Sequence, residues 1–410
     1  MSTTAAGPAP THGAAPAHTD DQAHTDASTH AGGTSARAAT TAPTARPLTV
    51  VDGDCADLAR GAAVLGTGGG GDPYIGRLLA EAAVREHGPV TVVQVEDLPD
   101  DAVVLNVAMI GAPTVMVEKL PSGAQFAEAV RSLAAHLGVT PTHVACIEVG
   151  GVNSTSPIVA AAELGLPLVD GDAMGRAFPE VQMVLPTLAA VSATPMALAD
   201  EKGNTAVFST VDNRWAERLA RTATVEMGCS AITANYAMTG AQVKESYVRG
   251  SLSLCVRLGE ALVAARAANA DPVAAVAATL GGSVVFSGKV ADVERKTVTG
   301  FARGTARVTG SGDDTGREAV LRFQNEHLLV EVAGSVRTTA PDLIVTLDAE
   351  TGEPITTEGL RFGARVRIVT APADPRWHSP AGLALAGPRY FGYDTPAVRH
   401  DGTVSEGEQP

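Results

Sequence analysis

Aromatic side chains are scarce in this chain, 4% of 410 residues, and cysteines number four. Cys55, Cys146, Cys229 and Cys255 form no CxxC pair, which removes zinc ribbons and thioredoxin-like redox motifs. Positive charge is also short, 30 Lys and Arg against 45 Asp and Glu, a formal net charge of −15. A nucleic-acid binder normally carries a basic stripe, and an anionic membrane surface would repel this chain too. No run approaches the ~18 apolar residues of a spanning helix. There is no HExxH or HxH for zinc and no GxSxG elbow for a serine nucleophile. Scattered cysteines without a CxxC pair and the lack of a charged n-region followed by an apolar h-region lead us to expect a cytoplasmic protein without a signal peptide.

What is present is a large supply of Ala, Val and Leu, with 45% of residues hydrophobic, enough to bury a sizeable core in two or three domains. Residues 1–47 hold almost no large apolar side chain and are expected to be disordered. Histidines recur in that tail every six residues, at His12, His18, His24 and His30, as a metal-binding tract or a degenerate repeat. From 48 to 280 strand-like apolar runs (Val90 to Val95, Ala102 to Met109, Thr142 to Ile147) alternate with helical patterns, the signature of an α/β domain. From 281 to 395 short β patterns follow one another between Gly, Asp and Asn turns, a smaller β-rich domain built as a sandwich or open barrel. Residues 396–410 are expected to fray.

Two acidic segments follow apolar runs: Glu148 to Pro157 after Val144 to Ile147, and Asp170 to Glu180 after Leu166 to Val169. In an open α/β sheet, ligands bind beyond the carboxyl ends of strands. Glu148, Asp170 and Asp172 are therefore the candidates for a general base or for the ligands of a divalent cation, since a carboxylate-rich site without histidine suits a hard ion. Asp in an Asp-Gly-Asp turn can equally cap a helix or a turn. Arg176 can clamp a substrate carboxylate or pair with Glu180 one helical turn on. Asn153 and Ser154 can orient a ligand or shape the turn before Pro157. Gly66 to Gly71 spells GxGxxG, but a helix precedes it where a dinucleotide fold needs a strand. The bare NH groups of Gly68, Gly69, Gly70 and Gly71 could still meet an anion at the following helix start.

Taken together, these motifs resemble the S-methyl thiohydantoin desulfurase family. The resemblance rests on Leu65 to Gly71, Glu148 to Asn153 and Asp170 to Glu180, continued by Gly288-Lys289, Asn325-Glu326, Pro341 to Leu343 and Gly387 to Tyr393. It implies an α/β domain followed by a β-rich domain, and hydrolytic removal of sulfur from a hydantoin-like ring. It also brings Lys289, Asn325 and Glu326 forward as residues reaching the site from the second domain. The expected enzyme acts on a small molecule in the cleft between domains, as a possible homo-oligomer. The rivals are a subunit of an ATP-dependent hydantoinase or oxoprolinase system, with a partner subunit, and a non-catalytic binding protein.

Overall fold

The computed structural model describes residues 49–50, 52–71, 73–111, 115, 123–298 and 301–405. The tail of residues 1–47, with its histidine tract, lies outside them. The first sheet contains β1 (Thr49–Val50), β2 (Val90–Gln94), β3 (Val103–Gly111), β4 (His143–Cys146), β5 (Leu168–Asp172), β6 (Met196–Ala199), β7 (Thr205–Phe208), β8 (Ser230–Thr239) and β9 (Val248–Arg249). Its order is β1-β2-β5-β4-β3-β8-β6-β7, with β9 pairing β5. Neighbours β2, β5, β4 and β3 run parallel, and β8, β6 and β7 continue antiparallel. The central strands β4 and β5 are buried along both faces, which is why the sequence around them reads as the apolar runs Val144 to Ile147 and Leu166 to Val169.

The helices Cys55–Leu65, Pro73–His87, Ala124–Leu137, Ser156–Leu164 and Ser251–Ala267 cover one face of this sheet through Leu58, Leu65, Val84, Leu133, Ile158 and Leu258. The other face buries Phe178, Met183, Tyr236, Tyr247 and Trp377. There Trp377 stacks edge-on against Phe178 and donates from Nε1 to the Met174 carbonyl at 2.8 Å. Aromatics are few in this protein, and several of them are spent here, under the acidic segment.

A seven-stranded antiparallel sheet makes up the later part of the chain, from β10 (Ser283–Val298), β11 (Phe301–Gly310), β12 (Glu318–Gln324), β13 (Glu326–Val332), β14 (Ser335–Thr339), β15 (Leu343–Asp348) and β16 (Arg365–Ala371). The order is β14-β13-β12-β11-β10-β16-β15, and the sheet curls around Phe286, Leu321, Phe323, Val330 and Ile368. Leu343, Val345 and Val369 face the helices of the first sheet and join their core. The α/β and β-rich parts thus follow in the expected order. No helix of the described residues is long and apolar enough to cross a membrane.

Within the stretch 396–410 expected to fray, residues 396–405 are tied to the body, and 406–410 lie outside the described residues. The His378 ring bridges Asp342 Oδ1 at 2.7 Å and Ser405 Oγ at 2.8 Å, and His400 donates its backbone NH to Asp342 Oδ2. Ser405, His378 and Asp342 are all buried, and the row they form acts as a clasp for the C-terminal segment.

Candidate active site

A small cavity of about 90 Å³ lies where the two sheets meet. Its walls come from β3 (Met109, Ile110), the end of β4 (Ile147, Glu148), β8 (Thr233, Asn235), the helix Asn213–Glu226 (Glu217, Arg221), Glu180, and the β12–β13 turn (Asn325, Glu326). The carboxyl end of β4 delivers Glu148, as the position of ligand sites in open sheets leads one to expect. Its carboxylate accepts from Asn153 Nδ2 at 3.0 Å. Asn153 Oδ1 in turn accepts the Met109 NH at 2.7 Å, so one amide ties Glu148 to the neighbouring strand. The Cys146 thiol donates to the carbonyls of Glu148 and Asn153, and burial pushes its pKa well up; it supports the turn and is no nucleophile.

Glu326 comes from the other sheet. Asn325 adopts a left-handed conformation (φ 58°), which Asn tolerates, and its Oδ1 accepts the Ala302 NH. That tight turn sets the Glu326 carboxyl in the cavity wall at 2% exposure, and its Oε2 has no hydrogen-bond partner. Burial pushes its pKa up to about 8, against the pull of the Arg176 guanidinium. Glu148 is raised well above the ordinary carboxyl range by burial first and by Glu326 second. The two carboxyls line one cavity, and the Glu326 carboxyl adds to burial in disfavouring ionisation of Glu148. Glu180 and Glu217 add two more carboxylates to the wall. The single guanidinium there, Arg221, is paired to Glu217 at 2.5 Å.

The other acidic candidates serve the backbone. Asp170 accepts from the NH of Ser253 at 3.0 Å, from its hydroxyl, and from Gln94 Nε2 at 3.1 Å, so it caps the helix Ser251–Ala267. Asp172 Oδ2 accepts three backbone NH groups, Val149, Met174 and Gly175, each at 2.9 Å. Burial raises its pKa to about 6 against those three bonds. Because Val149 adjoins Glu148, Asp172 positions the Glu148 turn without lining the cavity. Among the described residues no group of three or more His, Cys, Asp or Glu side chains converges as metal ligands. Glu148, Asp170 and Asp172 therefore do not make the donor set expected for a divalent cation, and no step is routed through one.

Arg176 is neither a clamp in the cavity nor a partner of Glu180. It is wholly buried, and its five N–H groups reach Ala177 O, Pro341 O, Asp342 O, Thr67 Oγ1 and His327 O. Phe178 lies against it at 4.6 Å, and burial lowers its pKa to about 10. Glu180 accepts from the Tyr390 hydroxyl at 2.9 Å and from Gln182. Ser154 is buried behind the wall, and Lys289 is exposed on β10 beside the Phe362 ring; neither lines the cavity.

The glycine loop works by close approach. A Cβ on Gly69 would stand 2.0 Å from Glu326 Oε1, and one on Gly68 2.8 Å from the His327 ring. The carbonyls of Thr67, Gly68 and Gly70 accept the NH groups of His327, Thr357 and Val152. Only Gly70 reaches the cavity wall, and its NH favours the ionised form of Glu326. Gly71 (φ 78°) is buried against Gly151. The loop seats a carboxyl of the protein itself in place of an external anion. Sequence reasoning passed over Asn235, Thr233, Glu217 and Arg221, and the only signal was two polar residues alternating inside an otherwise apolar strand.

Two family models match, S-Me-THD-like N-terminal domain over residues 53–210 and S-Me-THD-like C-terminal domain over 211–399. The chain belongs to this S-Me-THD-like family. The second model begins ahead of the helix Asn213–Glu226 and so takes in β8 of the first sheet. A crystal structure of a protein from Chromobacterium violaceum is similar in fold, with a TM-score of 0.71 and 24% identity over 86% of this chain and 99% of that one. No curated protein matches.

Proposed function

We propose that this protein is a hydrolase that removes the methylthio group from an S-methyl thiohydantoin or closely related five-membered ring. The observation that carries the reading is the buried Glu148–Glu326 pair, one carboxyl from each sheet, in a cavity sized for a small ring. The family's name supplies the substrate class.

In the reaction the ionised member of the pair takes a proton from water as its oxygen attacks the ring carbon bearing sulfur. The C–O bond forms, the C–S bond breaks, and the protonated member gives its proton to the departing methanethiolate. The new hydroxyl proton passes to the ring nitrogen of the former C=N bond, giving the ring carbonyl and an N–H. The pair, having gained one proton from water and given one to sulfur, again holds one. Burial raises both carboxyls, so a member still protonated near neutral pH is at hand to give its proton to sulfur. The one basic residue of the cavity wall, Arg221, is already paired to Glu217, so no cation there is free for a phosphate, which weighs against nucleotide-dependent turnover.

The test is methanethiol release from S-methyl thiohydantoin by the full chain, with and without a chelator, and by Glu148→Gln and Glu326→Gln. Loss of about 100-fold or more in kcat in each variant, with the parent indifferent to chelation, is the expected result. No release by the parent, or full activity in both variants, would overturn the reading.

A further inference from the structure

Asn235 sits at 0% exposure in the cavity wall. Its Nδ2 donates to Thr233 Oγ1 at 3.0 Å, while its Oδ1 has no partner. A buried amide oxygen left unpaired costs free energy, and native proteins leave few such atoms without a use. A bulge follows it in the strand. Asn106 on β3 faces Asn235, but Val104 faces Met238, so β8 carries one residue more than its partner. Tyr236 takes up the excess in the left-handed region, φ 40°, uncommon for a bulky aromatic residue. Thr233 and Asn235 share the cavity face by strand alternation, and at the bulge that follows Tyr236 turns into the core beyond, where its hydroxyl meets Thr187 and Val181. Bulges that re-aim a side chain cluster beside active sites.

We propose that Asn235 Oδ1 accepts the N–H of the substrate ring, making this residue the specificity determinant for an uncharged cyclic amide, or its sulfur analogue, with a free ring nitrogen. The assignment rests on the preceding reading that the cavity holds the reacting ring. With the one guanidinium of the wall already paired, no cation there is free to hold an anionic ligand, and an acceptor without a donor selects for N–H over N–alkyl. A site built to hydrogen-bond an N–H rejects the analogue lacking it, because the protein's own acceptor is then stranded.

The experiment titrates hydantoin, 1-methylhydantoin and 3-methylhydantoin into the full chain by calorimetry, with methanethiol release measured on the same preparation. The expected result is that one methyl isomer binds about tenfold or more weakly than hydantoin. In Asn235→Ala that ratio falls toward one. In Asn235→Asp, which keeps an acceptor in the same place, it persists. Ratios within each variant do not depend on how much of the preparation is folded. Equal binding of all three rings by the parent, or an unchanged ratio in Asn235→Ala, overturns the assignment while turnover leaves the desulfurase reading standing. If no ring binds and no methanethiol appears, the desulfurase reading fails and this assignment fails with it.

Discussion

Replacing Glu326 with Gln changes one hydrogen-bonding atom and removes a titration, and the consequence for stability has a definite sign. In the folded protein burial holds the Glu326 carboxyl neutral up to about pH 8, against an ordinary value of 4.5. The unfolded chain ionises it from about pH 4.5 upward, so folding takes up a proton between these values. The stability due to the neutral carboxyl is complete below 4.5 and is lost as pH rises toward 8. At 1.36 kcal/mol for each tenfold change in proton activity, the loss between pH 5 and pH 7 is about 2–3 kcal/mol. Gln cannot ionise and escapes it. Urea unfolding of both proteins at pH 5, 6, 7 and 8 reads the difference directly. The variant should match the parent near pH 5 and exceed it by about 2–3 kcal/mol at pH 7. Parallel stability curves over that range would refute the claim that this carboxyl is buried and neutral.

Arg176→Leu strands five acceptors and, at about 1 kcal/mol each, should cost about 5 kcal/mol, comparable with the whole stability of a typical domain. The variant should be insoluble or melt far below the parent, and a midpoint within about 1 kcal/mol would return Arg176 to a ligand-binding role. Gly69→Ala places a methyl group 2.0 Å from Glu326 Oε1, so methanethiol release should fall about tenfold or more as the carboxyl is displaced. Gly53→Ala, where a Cβ meets nothing within 4 Å, is the control and should keep parental activity.

The strands of the first sheet's parallel core were legible because burial on both faces writes itself as Val-rich runs. β8 was not, because Ser230-Ala-Ile-Thr-Ala-Asn-Tyr-Ala-Met-Thr239 mixes polar and apolar residues on a strand whose cavity face needs the polar ones. At the site, Glu148 stood out by its place after β4. Asp170 and Asp172 looked equivalent to it, since a carboxylate that caps a helix or gathers three backbone NH groups has the same local sequence as one that faces a substrate. What separates them is the fold around each, above all the turn at Asn325 that brings Glu326 from about 180 residues away opposite Glu148. Arg176 is likewise explained only by acceptors at 67, 327, 341 and 342, which no window of sequence holds together.

The most direct test of the account is the pH dependence of kcat/KM for methanethiol release by the parent and by Glu326→Gln. A basic limb near pH 8 is expected in the parent, from ionisation of the Glu326 carboxyl that gives its proton to sulfur. In the variant the rate should be low and that basic limb absent. A parental profile with no basic limb below pH 9, or a Glu326→Gln profile that keeps the limb, would contradict the claim that the Glu326 carboxyl gives its proton to sulfur.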